Sequence, residues 1–318
     1  MAAGTDLTLL GLFGTIVALL TVASVIGGVL HWRVAGGEGR VTVDNLNARI
    51  RAWWVMAAIF MISTLTGRAG AVLLFAVVSL LALRELVSQG PATASDHRTL
   101  LWAVFAATPL QYFLIWRGWY GLFTILIPVY CTLFVAIRTA LSGDTRHFLE
   151  RTATTQWALM TCVYFVGYVP ALLTLRLPGG SHANAALLFF LVVVVQLSDV
   201  LQYVWGKTLG RRPIAPRVSP NKTWEGFAGG ILSATAVGTA LWWATPFGPL
   251  QAAAMALLIT LMGFAGGLVM AAVKRDLGVK DYGTLISGHG GVLDRIDSLC
   301  FAAPVFFHAT RFWFSLGA

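Results

Sequence analysis

The sequence predicts an all-α fold, a polytopic transmembrane helical bundle of about ten spans with both termini on the non-cytoplasmic side. Hydrophobic residues make up 58% of the 318-residue chain and charged residues 11%, and the mean hydropathy is +0.78. This composition is too apolar for a soluble protein, whose surface must carry more charge. The basic residues also fall between the apolar stretches in an alternating pattern, as in a chain that crosses a membrane repeatedly.

Ten apolar segments meet or approach the length of about 20 residues that a helix needs to cross the hydrocarbon core. They are residues 7–30, 52–67, 69–84, 99–116, 119–137, 156–175, 185–205, 227–244, 249–273 and 298–315. The first is longer than the apolar region of a signal peptide and has no basic residue before it, so we expect a retained span. The second and third are short, and could instead form one re-entrant or interfacial hairpin.

The loops between these segments differ sharply in charge. With ten spans, eighteen of the 22 Lys and Arg residues fall on one side and four on the other, namely Arg68, Arg117, Arg176 and Arg311. The positive-inside rule assigns the eighteen to the cytoplasm, and removing one span would invert every later loop. We therefore expect an integral protein of the cell (inner) membrane. The net charge of +9 then reflects topology and not binding to nucleic acid.

Composition divides the chain near residue 180. Residues 1–180 are predicted to form an N-terminal transmembrane scaffold, and residues 181–318 a C-terminal catalytic transmembrane domain with its site at the cytoplasmic face. Glycines at helical spacing, such as Gly226 and Gly230, favour close helix packing. Cys131, Cys162 and Cys300 lie in apolar segments without metal-like spacing and are interpreted as small core residues.

The end of the seventh segment carries polar residues within an apolar run. Gln196, Asp199, Tyr203 and Gly206 share one helical face. This stripe either lines a water-accessible cavity near the cytoplasmic surface, or places Asp199 beside a nearby cation such as Lys207.

The following loop, residues 210–226, contains three prolines that prevent a continuing helix. Ser219, Asn221, Lys222 and Thr223 then supply hydroxyl, amide and ammonium groups at a predicted turn into the eighth helix. Free amides at a helix N-terminus suit an anionic oxygen, so this segment is a candidate phosphate site. Simple helix capping is the alternative.

The densest cluster of charge is residues 274–297. Asp294 and Asp297 stand three apart on the predicted first turns of the tenth helix, and Asp281 or Asp199 brought near them would form the oxygen-rich site that Mg²⁺ requires. Gly290 and Gly291 allow the backbone to approach a ligand closely. The cluster's remaining candidates are the basic side chains Lys274, Arg275, Lys280 and Arg295, which can neutralise phosphates, and His289, which could equally be a structural hydrogen bonder.

This stretch resembles the hallmark of the phosphatidate cytidylyltransferase family, the CDP-diglyceride synthetases. The resemblance follows a Lys-Arg pair, a Lys-Asp pair, a His-Gly-Gly and a final Asp-Arg-x-x-Asp, through residues 274–297. Residues 219–226 and 199–203 also resemble the family, so that the likeness covers about residues 195–300. The resemblance implies transfer from CTP to phosphatidate, giving CDP-diacylglycerol and pyrophosphate in phospholipid biosynthesis, with Mg²⁺ as cofactor and a homodimeric assembly.

The resemblance and the residue types together predict three sets of site residues. The predicted catalytic residues are Asp281, Asp294, Asp297, Lys280 and His289. The predicted substrate-binding residues are Ser219, Lys222, Thr223, Lys274, Arg275, Gly290, Gly291, Arg295 and Tyr203. The predicted metal ligands are Asp281, Asp294, Asp297 and Asp199.

Two other functional classes share parts of this pattern. A CTP-dependent lipid kinase, or a cytidylyltransferase for another lipid phosphate, would use the same metal and phosphate apparatus. A transporter of an anionic solute would place Asp199 on a midplane path, but such proteins carry matched interrupted helices in two halves, and this sequence shows no such pair.

Overall fold

The computed structural model describes residues 2–34, 37–89, 101–177, 180–286 and 290–315. Within these ranges, ten helical segments follow one another along the chain. They are α1 (Ala2–Arg33), α2 (Glu38–Leu65), α3 (Gly67–Gln89), α4 (Thr108–Arg117), α5 (Tyr120–Ala140), α6 (Phe148–Thr174), α7 (Gly180–Leu209), α8 (Trp224–Ala240), α9 (Pro249–Asp276) and α10 (Leu293–Phe314). A π-helical turn, Ala103–Ala107, precedes α4.

Seven of the described segments are long and apolar enough to cross a membrane, and the protein is accordingly an integral membrane protein. They are Leu9–Arg33, Gly39–Leu65, Gly67–Gln89, Tyr120–Ala140, Phe148–Thr174, Ala183–Leu209 and Pro249–Asp276. The other three, α4, α8 and α10, are helical but shorter or more polar. The count of ten spans and the side on which the termini lie stay predictions.

The second and third apolar segments form two full helices and not one short hairpin. α2 begins at Glu38, well before the predicted start at residue 52, because its first turns are amphipathic and their polar residues lower the local hydropathy. That extension pairs with α1: the Asn47 amide donates to the Gly27 carbonyl at 3.3 Å, and the Trp54 indole donates to Ser24 at 3.0 Å.

Between α7 and α8 the chain forms a short antiparallel hairpin, where the sequence predicted only a turn. β1 (Pro213–Ala215) pairs with β2 (Ser219–Thr223), with Ala215 opposite Ser219. α7 ends at Leu209, and the prolines that begin at Pro213 prevent the helix from resuming. Strand pairing then satisfies part of the backbone of this segment. The hairpin places β2 directly before the first turn of α8.

Close glycine contacts hold the C-terminal helices together, which confirms the predicted packing role of these residues. A Cβ added at Gly226 would lie 2.9 Å from the Gln202 carbonyl oxygen, and one at Gly266 would lie 2.7 Å from the Asp297 carbonyl oxygen. The three cysteines are free; Cys162 and Cys300 are buried and Cys131 is partly buried, as predicted for core residues.

The Gly230→Ala substitution tests this packing. A Cβ at Gly230 would lie 2.7 Å from the Gln202 Cα, so α7 and α8 must separate. We expect a loss of about 1–3 kcal/mol, the usual cost of overpacking, seen as a lower thermal midpoint in detergent. Gly28→Ala is the control, because a Cβ there meets nothing within 4 Å. Equal midpoints for the two variants would contradict close packing of α7 and α8.

The loops gather at two opposite ends of the bundle. At one end, hereafter the charged end, the Gln89 amide donates to the Tyr282 carbonyl at 3.2 Å, and Arg275 donates to the Val218 carbonyl at 3.2 Å. This end therefore combines the last turns of α3, α7 and α9 with the first turns of α8 and α10.

At the other end, the Arg311 guanidinium lies 3.8 Å from the centre of the Tyr120 ring, and Ser315 donates to the Arg176 carbonyl at 3.4 Å. The described residues in these contacts thus place parts of the predicted strongly basic loops at the charged end and parts of the weakly basic loops at the other end. This separation is consistent with the predicted alternation of the chain across the membrane.

A continuous core joins the two halves of the chain. Tyr168 of α6 packs against Phe123 of α5, with ring centres 5.6 Å apart, and against Phe307 of α10 at 5.1 Å. All three side chains are fully buried. Because α10 packs on helices from the first 180 residues, its position depends on both halves.

Candidate active site

The candidate active site lies at the charged end, where separate elements bring predicted residues together. α7 supplies Asp199, β2 supplies Lys222, α9 supplies Lys274, and α10 supplies Asp294 and Asp297. The close packing of α7, α8, α9 and α10 makes this assembly possible.

Lys274 and Asp294 form a buried ion pair. The Lys274 Nζ lies 2.9 Å from Asp294 Oδ1, and the two side chains are 14% and 2% exposed. The other oxygen, Oδ2, accepts hydrogen bonds from the backbone N–H of Tyr282 at 2.9 Å and of Gly291 at 3.0 Å. Both oxygens of Asp294 are thus engaged, and this carboxylate ties the loop after α9 to the first turn of α10.

Gly290 adopts a left-handed backbone conformation beside this pair, with φ at +81°. A Cβ there would lie 2.9 Å from Asp294 Oδ2 and 3.3 Å from the Asp281 Cβ. Glycine is therefore required for both its conformation and its space. The exposed Asp281 lies next to Asp294 at this point, whereas His289 lies outside the described residues.

Ser298 joins Asp199 and Asp297 into a second carboxylate pair. The Ser298 hydroxyl donates to Asp199 Oδ1 at 2.9 Å, and its backbone N–H donates to Asp297 Oδ1 at 2.8 Å. Within the described ranges, neither carboxylate forms an ion pair within 4 Å, and the second oxygen of each accepts no hydrogen bond. Two partly buried carboxyl groups are thereby held close together, each with one oxygen that has no partner among the described residues.

Lys222 and Arg295 balance this pair from nearby positions. Both cations interact electrostatically with Asp199 and with Asp297. The Lys222 Nζ lies 4.9 Å from the centre of the Phe264 ring. Burial lowers the pKa of Lys222 from its ordinary value, while the two carboxylates act in the opposite direction. The Arg295 Nε is buried and has no hydrogen-bond partner among the described residues.

The remaining predicted residues lie around this centre. Thr223 caps α8 by accepting a hydrogen bond from the Gly226 N–H at 3.1 Å, as the capping alternative predicted. Arg275 is exposed and donates to two backbone carbonyls, which joins the β-hairpin to the end of α9. Ser219 begins β2, and Lys280 is exposed. Their substrate contacts stay predictions.

Tyr203 lies on the same helix as Asp199 but is 58% exposed. Its hydroxyl accepts a hydrogen bond from Lys207 at 3.4 Å. Gln196, by contrast, reaches α10 and donates to the Arg295 carbonyl at 3.2 Å. The polar stripe of α7 therefore has a packed part and an exposed part.

The four predicted metal ligands fall into two pairs, Asp281 with Asp294 and Asp199 with Asp297. In the part of the chain that the structure describes, no group of three or more His, Cys, Asp or Glu side chains is arranged to hold a metal ion. A metal at this end would therefore draw on one carboxylate pair together with water or substrate oxygens.

Sequence reasoning missed Glu85, Gln89, Ser298 and Tyr282. Glu85 of α3 accepts hydrogen bonds from the backbone N–H groups of Val292 and Leu293, each at 2.9 Å. Glu85 is the single carboxylate between Asp44 and Asp96, and this position within a long apolar region was the only signal for it in the sequence.

Comparisons with known proteins identify a family and several relatives. The Cytidylyltransferase family profile matches residues 47–313. The uncharacterized protein YnbB of Escherichia coli K12 is 38% identical over 307 residues, which cover 94% of this chain and 97% of that protein.

Two phosphatidate cytidylyltransferases match shorter regions. The enzyme of Mycobacterium leprae is 43% identical over 127 residues, covering 38% of this chain and 39% of the enzyme. The enzyme of Aquifex aeolicus is 34% identical over 144 residues, covering 45% of this chain and 54% of the enzyme. These alignments span about half of each enzyme or less. From the match over residues 47–313, this chain belongs to the cytidylyltransferase family and is a membrane-embedded nucleotidyltransferase.

Proposed function

We propose that this protein transfers the cytidylyl group of CTP to phosphatidate, giving CDP-diacylglycerol and pyrophosphate. The observation that carries the proposal is the Asp199–Asp297 pair with Lys222 and Arg295 beside it at the charged end. Such a combination of carboxylates and fixed cations suits the reaction of two polyanions. The shorter alignments to phosphatidate cytidylyltransferases support the choice of acceptor.

The reaction requires little general-base help because the phosphate of phosphatidate is already anionic. One of its oxygens attacks the α-phosphorus of CTP and forms a new P–O bond. The bond from that phosphorus to the bridging oxygen breaks, and pyrophosphate leaves with the electron pair. The main obstacle is repulsion between the reactants, which fixed cations reduce by holding the phosphates in line.

We assign the phosphate contacts to the cations that surround the carboxylate pair. Lys222 and Arg295 interact electrostatically with Asp199 and Asp297, and we assign to them the contacts with a phosphate bound at this pair. Lys274 interacts electrostatically with Asp297 while its ammonium is bonded to Asp294. Arg275 and Lys280, both exposed, are proposed to meet the nucleotide at the mouth of the site.

The donor set at Asp199 and Asp297 fits Mg²⁺. Each carboxylate keeps one oxygen without a described partner, and their mutual repulsion favours a divalent cation between them. Mg²⁺ commonly uses one or two carboxylates and completes its shell with water and phosphate oxygens. When bound, it would neutralise charge on the departing pyrophosphate. Asp294, whose oxygens are both engaged, is assigned a positioning role, and Asp281 remains a candidate ligand.

The location of the site suits both substrates. CTP is soluble and phosphatidate keeps its acyl chains in the bilayer, so a site at the end of the spans can receive both. We propose that the charged end faces the cytoplasm of the inner membrane, as the distribution of Lys and Arg indicates, and that the protein acts as a homodimer.

The test is a transfer assay with purified protein in detergent, Mg²⁺, phosphatidate and CTP labelled on cytidine. We expect label in the lipid phase and release of pyrophosphate. Parallel reactions with CTP labelled at the γ-phosphate, with diacylglycerol as acceptor, detect the lipid kinase alternative. A panel of other lipid phosphates tests the acceptor, because the full-length match to YnbB carries no substrate assignment.

Absence of cytidine transfer to any lipid phosphate, with monodisperse and thermally cooperative protein, would overturn the proposal. Flux of an anionic solute into vesicles without nucleotide turnover would instead favour the transporter class.

A further inference from the structure

Glu85 links the N-terminal half of the chain to the start of α10. It lies in the last turns of α3, yet its Oε1 accepts a hydrogen bond from the Val292 N–H and its Oε2 from the Leu293 N–H, both at 2.9 Å. These N–H groups belong to the residue before α10 and to the first residue of α10, where N–H groups have no acceptor within the helix. A carboxylate at this position satisfies them and interacts favourably with the helix dipole.

Two glycines in the segment between α9 and α10 make room for the Glu85 carboxylate. A Cβ at Gly291 would lie 2.4 Å from Glu85 Oε2, and a Cβ at Gly283 would lie 2.8 Å from Glu85 Oε1. Neither glycine has a positive φ, so the space for Glu85, and not backbone conformation, explains why they carry no side chain. Within the described residues, Glu85 forms no ion pair, and its partners are backbone N–H groups.

α3 also contacts an earlier part of the segment between α9 and α10. The Gln89 amide donates to the Tyr282 carbonyl, while the Tyr282 N–H donates to Asp294. α3 therefore holds the segment between α9 and α10 at two points, at Tyr282 through Gln89 and directly before Asp294 through Glu85.

The residues next to these anchors are those of the proposed site. Asp294 follows Leu293 directly, and Asp297 and Ser298 lie about one helical turn further on. Since one turn of helix advances about 5.4 Å, a small tilt at the first turn moves the Asp297 carboxylate relative to Asp199. Displacements of about 1 Å are enough to reduce catalysis strongly.

We propose that Glu85 is a positioning residue that sets the register of α10, and with it the distance between Asp297 and Asp199. The N-terminal half would thereby take part in building the site instead of serving only as a scaffold. The catalytic consequence rests on the proposed function, whereas the ordering of residues 290–297 by Glu85 does not.

The first experiment compares Glu85→Gln with wild type and with the control Glu150→Gln. Glu150 is an exposed carboxylate of the same half, near His147 on α6. In Glu85→Gln one acceptor becomes a donor facing an N–H. We expect hydrogen exchange of the amides of residues 291–295, followed by mass spectrometry, to become about tenfold faster, a change that corresponds to one lost hydrogen bond.

The second readout is the Mg²⁺ concentration that gives half-maximal activity. We expect it to rise about tenfold in Glu85→Gln, with the KM for phosphatidate unchanged, because only the carboxylate pair is displaced. Glu150→Gln should change neither exchange nor Mg²⁺ dependence. Faster exchange without any change in Mg²⁺ dependence or kcat would reduce Glu85 to a purely structural residue and overturn the proposal.

A double-mutant cycle keeps the test valid if Glu85→Gln folds poorly. Gly291→Ala should accelerate exchange in the wild-type background because its Cβ meets the Glu85 carboxylate. In the Glu85→Ala background the same substitution should have a much smaller effect, since that carboxylate is gone. Strict additivity, or wild-type exchange in Glu85→Gln, would contradict the proposal. If wild type shows no transfer at all, the proposed function fails, and the exchange data alone decide the role of Glu85.

Discussion

Replacing Asp297 by Asn should reduce cytidylyl transfer about a thousandfold or more while the fold persists. The substitution keeps an oxygen that can accept the Ser298 N–H, now 2.8 Å from Asp297 Oδ1, so the first turns of α10 should survive. It removes the charge that, with Asp199, would hold Mg²⁺ and so stabilise charge on the leaving group. Initial rates at saturating CTP and phosphatidate measure the effect.

For the same variant we expect no loss of thermal stability, in contrast to the loss of activity. In the absence of divalent metal, Asp297→Asn should raise the thermal midpoint slightly or leave it unchanged, because repulsion between two nearby carboxylates is relieved. Loss of activity with retained stability separates a metal-binding role from a folding role.

Asp276→Asn is the matched control for Asp297→Asn. Asp276 is an exposed carboxylate at the end of α9, at the same end of the bundle. We expect near-normal transfer in this control. A rate for Asp297→Asn within a few-fold of wild type would remove Asp297 from the site.

Replacing Lys274 by Met should destabilise the protein and abolish transfer together. Lys274 and Asp294 are 14% and 2% exposed, so the substitution leaves a carboxylate buried without its counter-ion. Breaking a buried ion pair on one side costs about 3–5 kcal/mol. We expect a clear fall of the thermal midpoint in detergent and at least a hundredfold loss of transfer.

The double variant Lys274→Met/Asp294→Asn distinguishes stability from catalysis. A neutral Asn side chain still accepts hydrogen bonds from Tyr282 and Gly291 and no longer needs a cation, so much of the thermal stability should return. Transfer should stay low, because a cation near Asp297 is still missing.

Lys207→Met, at an exposed lysine of α7, should leave the midpoint unchanged and serves as the control for Lys274→Met. A stable and active Lys274→Met would show that the pair is dispensable.

Much of the fold follows from the sequence because the bilayer imposes a simple rule. Backbone groups in hydrocarbon must be satisfied internally, so long apolar segments become helices. Each of the ten apolar segments corresponds to a helical segment of the structure. The start of α2 was predicted too late, because hydropathy does not detect an amphipathic extension that packs on α1.

The candidate site was only partly predictable. The described charged residues between positions 274 and 297 do gather at one end with Asp199 and Lys222, as their types and spacing indicated. The sequence does not show which side chains each carboxylate contacts. Asp294 and Asp297 are only three residues apart, yet they face different neighbours. The hairpin before α8 was likewise missed, since its strands are too short for a periodic pattern.

The sequence by itself determined that this is a helical membrane protein with its carboxylates and cations concentrated in a few loops. Hydropathy and charge are local properties, and the membrane converts them directly into spans and loop sides. Only the tertiary structure paired Asp294 with Lys274 and Asp199 with Asp297, and only it brought Glu85 to amides 207 and 208 positions away. Such partnerships depend on how the helices pack, and no local pattern encodes a contact across two hundred residues.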